Sequence, residues 1–371
     1  MPTARNISHK AFECGLYEAQ DVLRDAADVD MVALEPAAGF RMRERWHNRL
    51  SYRDLTNRIV LSNPGLQPVR LDREYDLFLA CCQSYEDLVY VNAIENWKDK
   101  SRVSACWLDE VWTASIPRYR HWMAAISQFD HIFLANRSSV KPLSEATGRP
   151  CYWLPAGVDT VRFSQFPACP PRVVDVFSIG RRRPGMHDSL MRLAKSRQLY
   201  YLYDTCKISV ANVYDPQEHR ETFANTAKRS RFFLVAPPKF DELAETAGET
   251  DIGYRYYEGS AAGAVLLGQR ANIDIFDQLF DWPDVVIEVN PDGSDLEKIV
   301  TDLLATPERL AAIGRRNAAE ALRRHDWIYR WRTLLQTCGM EVPAGLTERA
   351  HALESLACEA MTAAAQPCGV S

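Results

Sequence analysis

The chain has 371 residues, 47% hydrophobic and 25% charged, a composition that suits two domains, each with a buried core. Forty-four basic against 49 acidic residues leave a formal net charge of −5, which excludes the global positive field of a nucleic-acid binder. No run of 18 apolar residues is present to span a membrane, and the first residues, MPTARNISHKAFECG, lack the apolar core of a secretory signal.

A cytoplasmic protein with reduced thiols is therefore expected. The ten cysteines (Cys14, Cys81, Cys82, Cys106, Cys151, Cys169, Cys206, Cys338, Cys358 and Cys368) form no paired C-x-x-C pattern, so no metal site is expected. Several lie in apolar runs such as FLACCQ and VSACWL, where a free cysteine behaves as a small hydrophobe.

In the first half, YDLFLACCQS, RVSACWLDE, FDHIFLANRS and PCYWLPAG read as strands, with helical material between them. SQFPACPPR (164–172) has three prolines, which disfavour helix and central strand, and reads as a linker. VVDVFSIG then reads as a strand ending in glycine. Asp188 is expected to cap a helix to about Arg197, and LYYLYD is the next strand. Asp215-Pro216-Gln217-Glu218 is a helix start, with a capping aspartate and proline at the first helical position. The strand RFFLVAP, a polar loop, the strand AVLLG, a short helix near IDIFDQLF and the strand VVIEVN follow.

Ser294-Asp295-Leu296-Glu297 is read as a capping box and Thr306-Pro307 as another helix start. Asp326 is expected to cap a helix whose Trp327, Trp331, Leu334, Leu335 and Cys338 share one face, and the tail AAAQPCGVS is read as frayed. Strands alternating with helices on both sides of a linker predict two α/β domains with mainly parallel sheets facing a cleft.

The stretch GYRYYEGSAAGAVLLG (Gly253–Gly268) carries the clearest chemistry. It follows a strand and a polar loop, where ligands of open α/β sheets gather, and it begins a helix whose free N–H groups attract phosphate. Gly253 allows close backbone approach, and Glu258 lies within about two turns of the helix start, able to accept two hydrogen bonds at once. Taken alone, Glu258 reads first as a cap or a solvated side chain and only second as a ligand contact. Gly180-Arg181-Arg182-Arg183 ends another strand, where guanidinium groups can meet a diphosphate or form a solvated basic turn. Met186-His187 follows in place of Lys-Ser/Thr, so this is not a P-loop, and no G-x-G-x-x-G follows an early strand. In RVSACWLDEVW, Asp109 stands just past a strand end and is a candidate general base, or else a helix cap. Ser84, Tyr85 and Glu86 are weaker candidates of the same kind.

From about Tyr152 to Leu335 the chain resembles the retaining GT-B glycosyltransferases with a Glu-x7-Glu signature. LPAGVDTVRF, VFSIGRRR, GYRYYEGSAAGAVLLG and the run from VVIEVN to WRTLL carry the likeness in order. The resemblance implies two Rossmann-like domains: an acceptor domain over 1–163, a linker over 164–172, a nucleotide-sugar donor domain over 173–326, and crossover helices with the tail over 327–371. It gives Glu258 to the donor ribose, Arg181 to the diphosphate and Gly253 to the loop that meets the sugar and diphosphate; Gly180, Arg182, Tyr254 and Arg255 are read beside them as donor-binding residues. A ligand contact of this sort is expected to be removable without loss of the fold. The signature's first glutamate falls on Thr250, flanked by Glu249 and Asp251, so Thr250 and Asp251 join Asp109 as catalytic candidates. The donor is a nucleotide sugar, the acceptor is an unspecified saccharide or small molecule, and no metal or other cofactor is required. No nucleic-acid partner is expected; peripheral membrane association is compatible with the sequence and not indicated by it. A non-catalytic sugar-nucleotide-binding protein and a sugar-nucleotide epimerase or phosphorylase of the same fold remain the alternatives.

Overall fold

The computed structural model describes residues 1–54, 56–205 and 211–363. Cys206, Cys368 and the tail beyond Ala363 lie outside the described residues. The chain forms two compact units. One comprises Met1–Ala156, Leu243–Glu249 and Arg330–Leu346; the other comprises Gly157–Glu242, Thr250–Tyr329 and the chain from Thr347 on.

The first unit opens with a short parallel pair, β1 (Pro2–Thr3) and β2 (Val32–Ala33). Its main sheet has four parallel strands in the order β3 (Tyr75–Cys82), β4 (Ser101–Leu108), β5 (His131–Leu134) and β6 (Cys151–Trp153). These are the four strands read from the sequence. Their apolar runs do not alternate because helices and loops cover both faces of a parallel sheet. Phe78–Cys82 and Ala105–Leu108 are buried throughout. Trp107 fills the centre, and its indole N–H donates to the Leu154 carbonyl at 2.9 Å. Burial pushes the Cys81 thiol up to about 12, in keeping with cysteines that pack as hydrophobes.

The second unit holds five parallel strands in the order β8-β7-β9-β10-β11, where β7 is Val174–Ser178, β8 Tyr201–Tyr203, β9 Ser230–Val235, β10 Val265–Gly268 and β11 Val286–Glu288. Local signals set several helix ends as expected. Asp215 accepts from the Glu218 N–H at 2.8 Å at the head of helix Pro216–Lys228. Pro307 opens helix Pro307–Arg324, and Asp326 accepts from the Ile328 N–H at 3.1 Å.

Two expected starts differ. Helix Pro184–Lys195 begins four residues before Asp188, because Pro184 presets the helical φ and Arg183 takes the capping position. Asp295 precedes helix Leu296–Leu304 without capping it; its carboxylate accepts from the Asn290 N–H at 2.9 Å. Ser294 turns instead to Asp292, which accepts from its N–H at 3.0 Å and its hydroxyl at 2.8 Å.

Helix Tyr254–Ala261 is held tightly on this sheet. A Cβ on Gly259 would stand 2.5 Å from Leu266 and 2.8 Å from Phe233, so only glycine fits. At the other end, Arg172 donates to the carbonyls of Ala262, at 3.1 Å, and Gly263, at 2.6 Å, satisfying groups a helix end leaves unpaired.

Candidate functional site

The five-stranded sheet changes direction between β7 and β9: the chain leaves β7 for β8 on one side, then crosses to β9 on the other. Outside the carboxyl ends of such a pair an open α/β sheet forms a crevice that suits ligands. β7 runs into Gly180-Arg181-Arg182-Arg183, and β9 runs into Pro237-Pro238-Lys239-Phe240. Helix Tyr254–Ala261 starts beside both. Arg255 Nε donates to the Ile179 carbonyl at 3.1 Å, and a Cβ on Gly253 would lie 3.6 Å from Pro238. Gly180 has φ +88°, which glycine alone adopts readily, and its N–H donates to Asp204 at 3.2 Å. Gly253, in contrast, has an ordinary extended backbone and room for a side chain, so the fold itself does not demand glycine there.

The three arginines after β7 diverge. Arg181 donates to Asp241 and to Glu242, each at 2.6 Å. Arg182 turns toward β8: it donates to the Asp204 carboxylate at 2.6 Å and its carbonyl at 2.7 Å, and lies 5.1 Å over the Tyr203 ring. Arg183 turns the other way, donating to Gln269 at 3.0 Å at the end of β10 and resting 4.0 Å over the Phe240 ring. The run itself flagged all three; their orientations depend on partners far along the chain.

Glu258 is 1% exposed, and each of its carboxylate oxygens accepts from an arginine: Arg220 at 2.5 Å, and Arg255. Arg220, itself 4% exposed, lies 4.7 Å from the Phe163 ring and 5.3 Å from the Phe223 ring. Burial alone would raise the glutamate's pKa, but Arg255 and then Arg220 outweigh it and hold the carboxyl below its ordinary value. The same arginines reinforce burial in lowering the pKa of His219. Glu258 is thus a buried carboxylate held by buried Arg220 and partly exposed Arg255, and its removal is expected to cost stability, unlike the loss of a lone ligand contact. Arg220 gave no signal in the sequence, being an unremarkable position within a helix.

Thr250 and Asp251 are half-buried, and Asp251 accepts from the Ile252 N–H at 2.7 Å. The neighbouring Glu249 belongs to the first unit, where its carboxylate accepts from the Thr113 N–H at 3.3 Å and the Ser138 hydroxyl at 3.1 Å. Tyr254 is half-buried, 6.3 Å from the Trp327 ring.

Asp109 stands in the first unit at the carboxyl end of β4, its N–H donating to the Cys82 carbonyl at 3.0 Å. It does not cap a helix: the next short helix, Thr113–Ser115, has Trp112 at its cap. Glu110 accepts from the Trp112 indole at 2.8 Å. Ser84 and Asp87 form a reciprocal capping box for the 3-10 helix Tyr85–Ala93.

Beside β3 the first unit also encloses a cavity of about 240 Å³, lined by Glu13, Tyr17, Glu44, Glu86, Asp87 and Tyr90 among others. Burial, and secondarily Glu13, raises the Asp87 carboxyl to about 7. Sequence reasoning noticed Glu86 and missed Asp87, whose helix-capping position looks structural.

The raised pKa has a measurable consequence. The protonated form of Asp87 stabilises the fold, fully below the ordinary carboxylate pKa of 3.8 and decreasingly up to about 7. Asp87→Asn keeps an acceptor for the Ser84 N–H and cannot ionise. Its melting temperature relative to wild type should rise between about pH 4 and about pH 7 and level off above. A flat difference across that range would show that Asp87 does not titrate there.

Two parallel-sheet units, the second with arginines at its strand ends, make up the architecture that the comparisons with known proteins address. Residues 198–336 match the family model described as "Glycosyl transferase-like". No curated protein matches the chain. Among solved structures, the chain is similar to HepE of Anabaena in complex with UDP-glucose, at 12% identity and TM-score 0.50, over 91% of this chain and 98% of that one. It is also similar to an alpha-glucosyltransferase in complex with UDP and a 13-mer DNA containing an HMU base, at 11% identity and TM-score 0.51, again over 91% and 98%. At these identities the structural likeness establishes the fold. The chain thus has the fold of these structures, and residues 198–336 carry a glycosyltransferase-like domain.

Proposed function

We propose that the donor is a nucleoside-diphosphate sugar whose diphosphate lies outside β7 and β9, against the start of helix Tyr254–Ala261. The observation that carries this is that Arg181 and Arg183 follow β7 at the strand-order reversal, where Arg255, in the first turn of the helix, donates to the Ile179 carbonyl just after β7. Negative charge builds on the diphosphate as the sugar departs, and preorganised donors there stabilise it without a metal. Arg181 exchanges Asp241 and Glu242 for phosphate when the donor arrives.

Glu258 serves the site first through Arg255, which it holds beside Ile179. The ribose role implied by the resemblance needs access to a carboxylate that is buried in this conformation. Thr250 and Asp251 remain the candidates for contact with the transferred sugar. The acceptor is received in the first unit. Asp109 and Asp87 are the candidate bases there, and the Asp87 carboxyl, raised by burial to about 7, has the near-neutral pKa that efficient proton abstraction favours.

The test pairs a thermal-shift screen of UDP-, GDP-, ADP- and dTDP-sugars with Gly253→Ala. One donor class should raise the melting temperature, because it binds only the native state. The variant should melt like wild type without ligand yet lose most of the donor-induced shift. EDTA should leave turnover unchanged. No shift with any donor, or an undiminished shift in the variant, would count against the site.

A further inference from the structure

Helix Phe40–Ser51 turns Phe40, His47 and Ser51 inward, and its exposed side carries large apolar side chains among arginines. Met42, Trp46 and Leu50 are 63%, 55% and 43% exposed. They recur every four residues and form one ridge along the helix. Tyr52, 48% exposed, follows at its end. By helical spacing, Arg45 and Arg49 flank the ridge on one side and Arg43 on the other, and the Arg49 guanidinium lies 5.8 Å from the Trp46 ring.

Charge sets this helix apart from the rest of the chain. From residue 40 to residue 53 there are five arginines and one glutamate, within a protein of net charge −5. The one glutamate, Glu44, is paired with Arg41 at 3.3 Å. Arg43, Arg45 and Arg49 make no ion pair among the described residues. A solvated helix face ordinarily carries polar side chains at such positions, and a contiguous apolar patch rimmed by charge marks an interaction surface.

We infer that helix Phe40–Ser51 docks the protein onto an anionic lipid surface, with Met42, Trp46 and Leu50 entering the interface and Arg43, Arg45, Arg49 and Arg53 meeting lipid phosphates. The occupant follows from charge complementarity. Tryptophan and long aliphatic side chains settle at the headgroup level, while arginines beside them reach anionic groups. No helix among the described residues is long and apolar enough to cross a membrane, so the attachment is peripheral. It would bring a glycosyltransferase to acceptors that are themselves held in a bilayer.

Flotation of the full chain with vesicles tests this. Vesicles of phosphatidylcholine mixed with phosphatidylglycerol should carry the protein, and phosphatidylcholine alone should not, with binding weakened by salt. Arg45→Glu/Arg49→Glu and Trp46→Ser/Leu50→Ser should each lower the bound fraction about tenfold or more while melting like wild type. Trp46→Phe should still bind and should abolish the blue shift of tryptophan emission on vesicle addition. Equal binding to both vesicle types, binding by the variants at the wild-type level, or retention on heparin without any vesicle binding would overturn the inference.

Discussion

Replacing Glu258 with alanine should destabilise the second unit by about 3–5 kcal/mol, the usual cost of breaking a buried ion pair from one side. Arg220, 4% exposed beside the Phe163 and Phe223 rings, would lose its Glu258 partner, whereas Arg255 is exposed enough to turn toward water. The double replacement Glu258→Met/Arg220→Met removes both buried charges and should recover part of the loss. Urea unfolding of the three proteins measures this. A loss below about 1 kcal/mol in Glu258→Ala would mean that the triad is not a closed, desolvated unit.

The second large effect is on the donor. Arg181→Ala/Arg183→Ala should weaken binding of the nucleoside diphosphate by about a hundredfold or more, since each charge-assisted hydrogen bond contributes about 1.5–3 kcal/mol. Part of the Arg181 contribution is offset by its existing bonds to Asp241 and Glu242. The parent nucleoside should bind almost as before, because guanidinium groups would meet phosphate and not the base. Arg182→Ala, on the β8 side and bonded to Asp204, should change affinity far less. Calorimetric titration with both ligands settles the matter: equal losses for nucleoside and diphosphate would remove the arginines from the phosphate site.

The strands of the two main sheets were legible because each is a short β-rich apolar run bounded by turn residues, from YDLFLACCQS to VVIEVN, whereas the two-residue pair β1 and β2 was too short to read. Asp215, Pro307 and Asp326 were legible as helix starts because capping is a local matter. Where two local signals competed, as at Pro184 against Asp188, the proline prevailed. Ser294-Asp295 failed as a capping box because Asp292 offered Ser294 a nearer partner.

The site was legible only as a set of stretches. GRRR and GYRYYEG are two stretches that the fold brings together, but nothing local links Glu258 to Arg220 or distinguishes the direction of Arg182 from that of Arg183. Those choices are made by Asp204, Gln269 and Phe240, which reach the crevice from other strands. Asp87 was hidden for the opposite reason. Its capping role is visible in the sequence, while the burial that moves its pKa depends on the surrounding tertiary structure.

The central claim is that a nucleoside diphosphate is held outside β7 and β9 by the start of helix Tyr254–Ala261 and the arginines beside it. A crystal structure with the nucleoside diphosphate selected by the thermal-shift screen tests this most directly. The account predicts phosphate oxygens within hydrogen-bond distance of the amides near Gly253 and of the Arg181 guanidinium, with Arg181 released from Asp241 and Glu242. Phosphates bound elsewhere, or bound while Arg181 keeps both carboxylates, would contradict it.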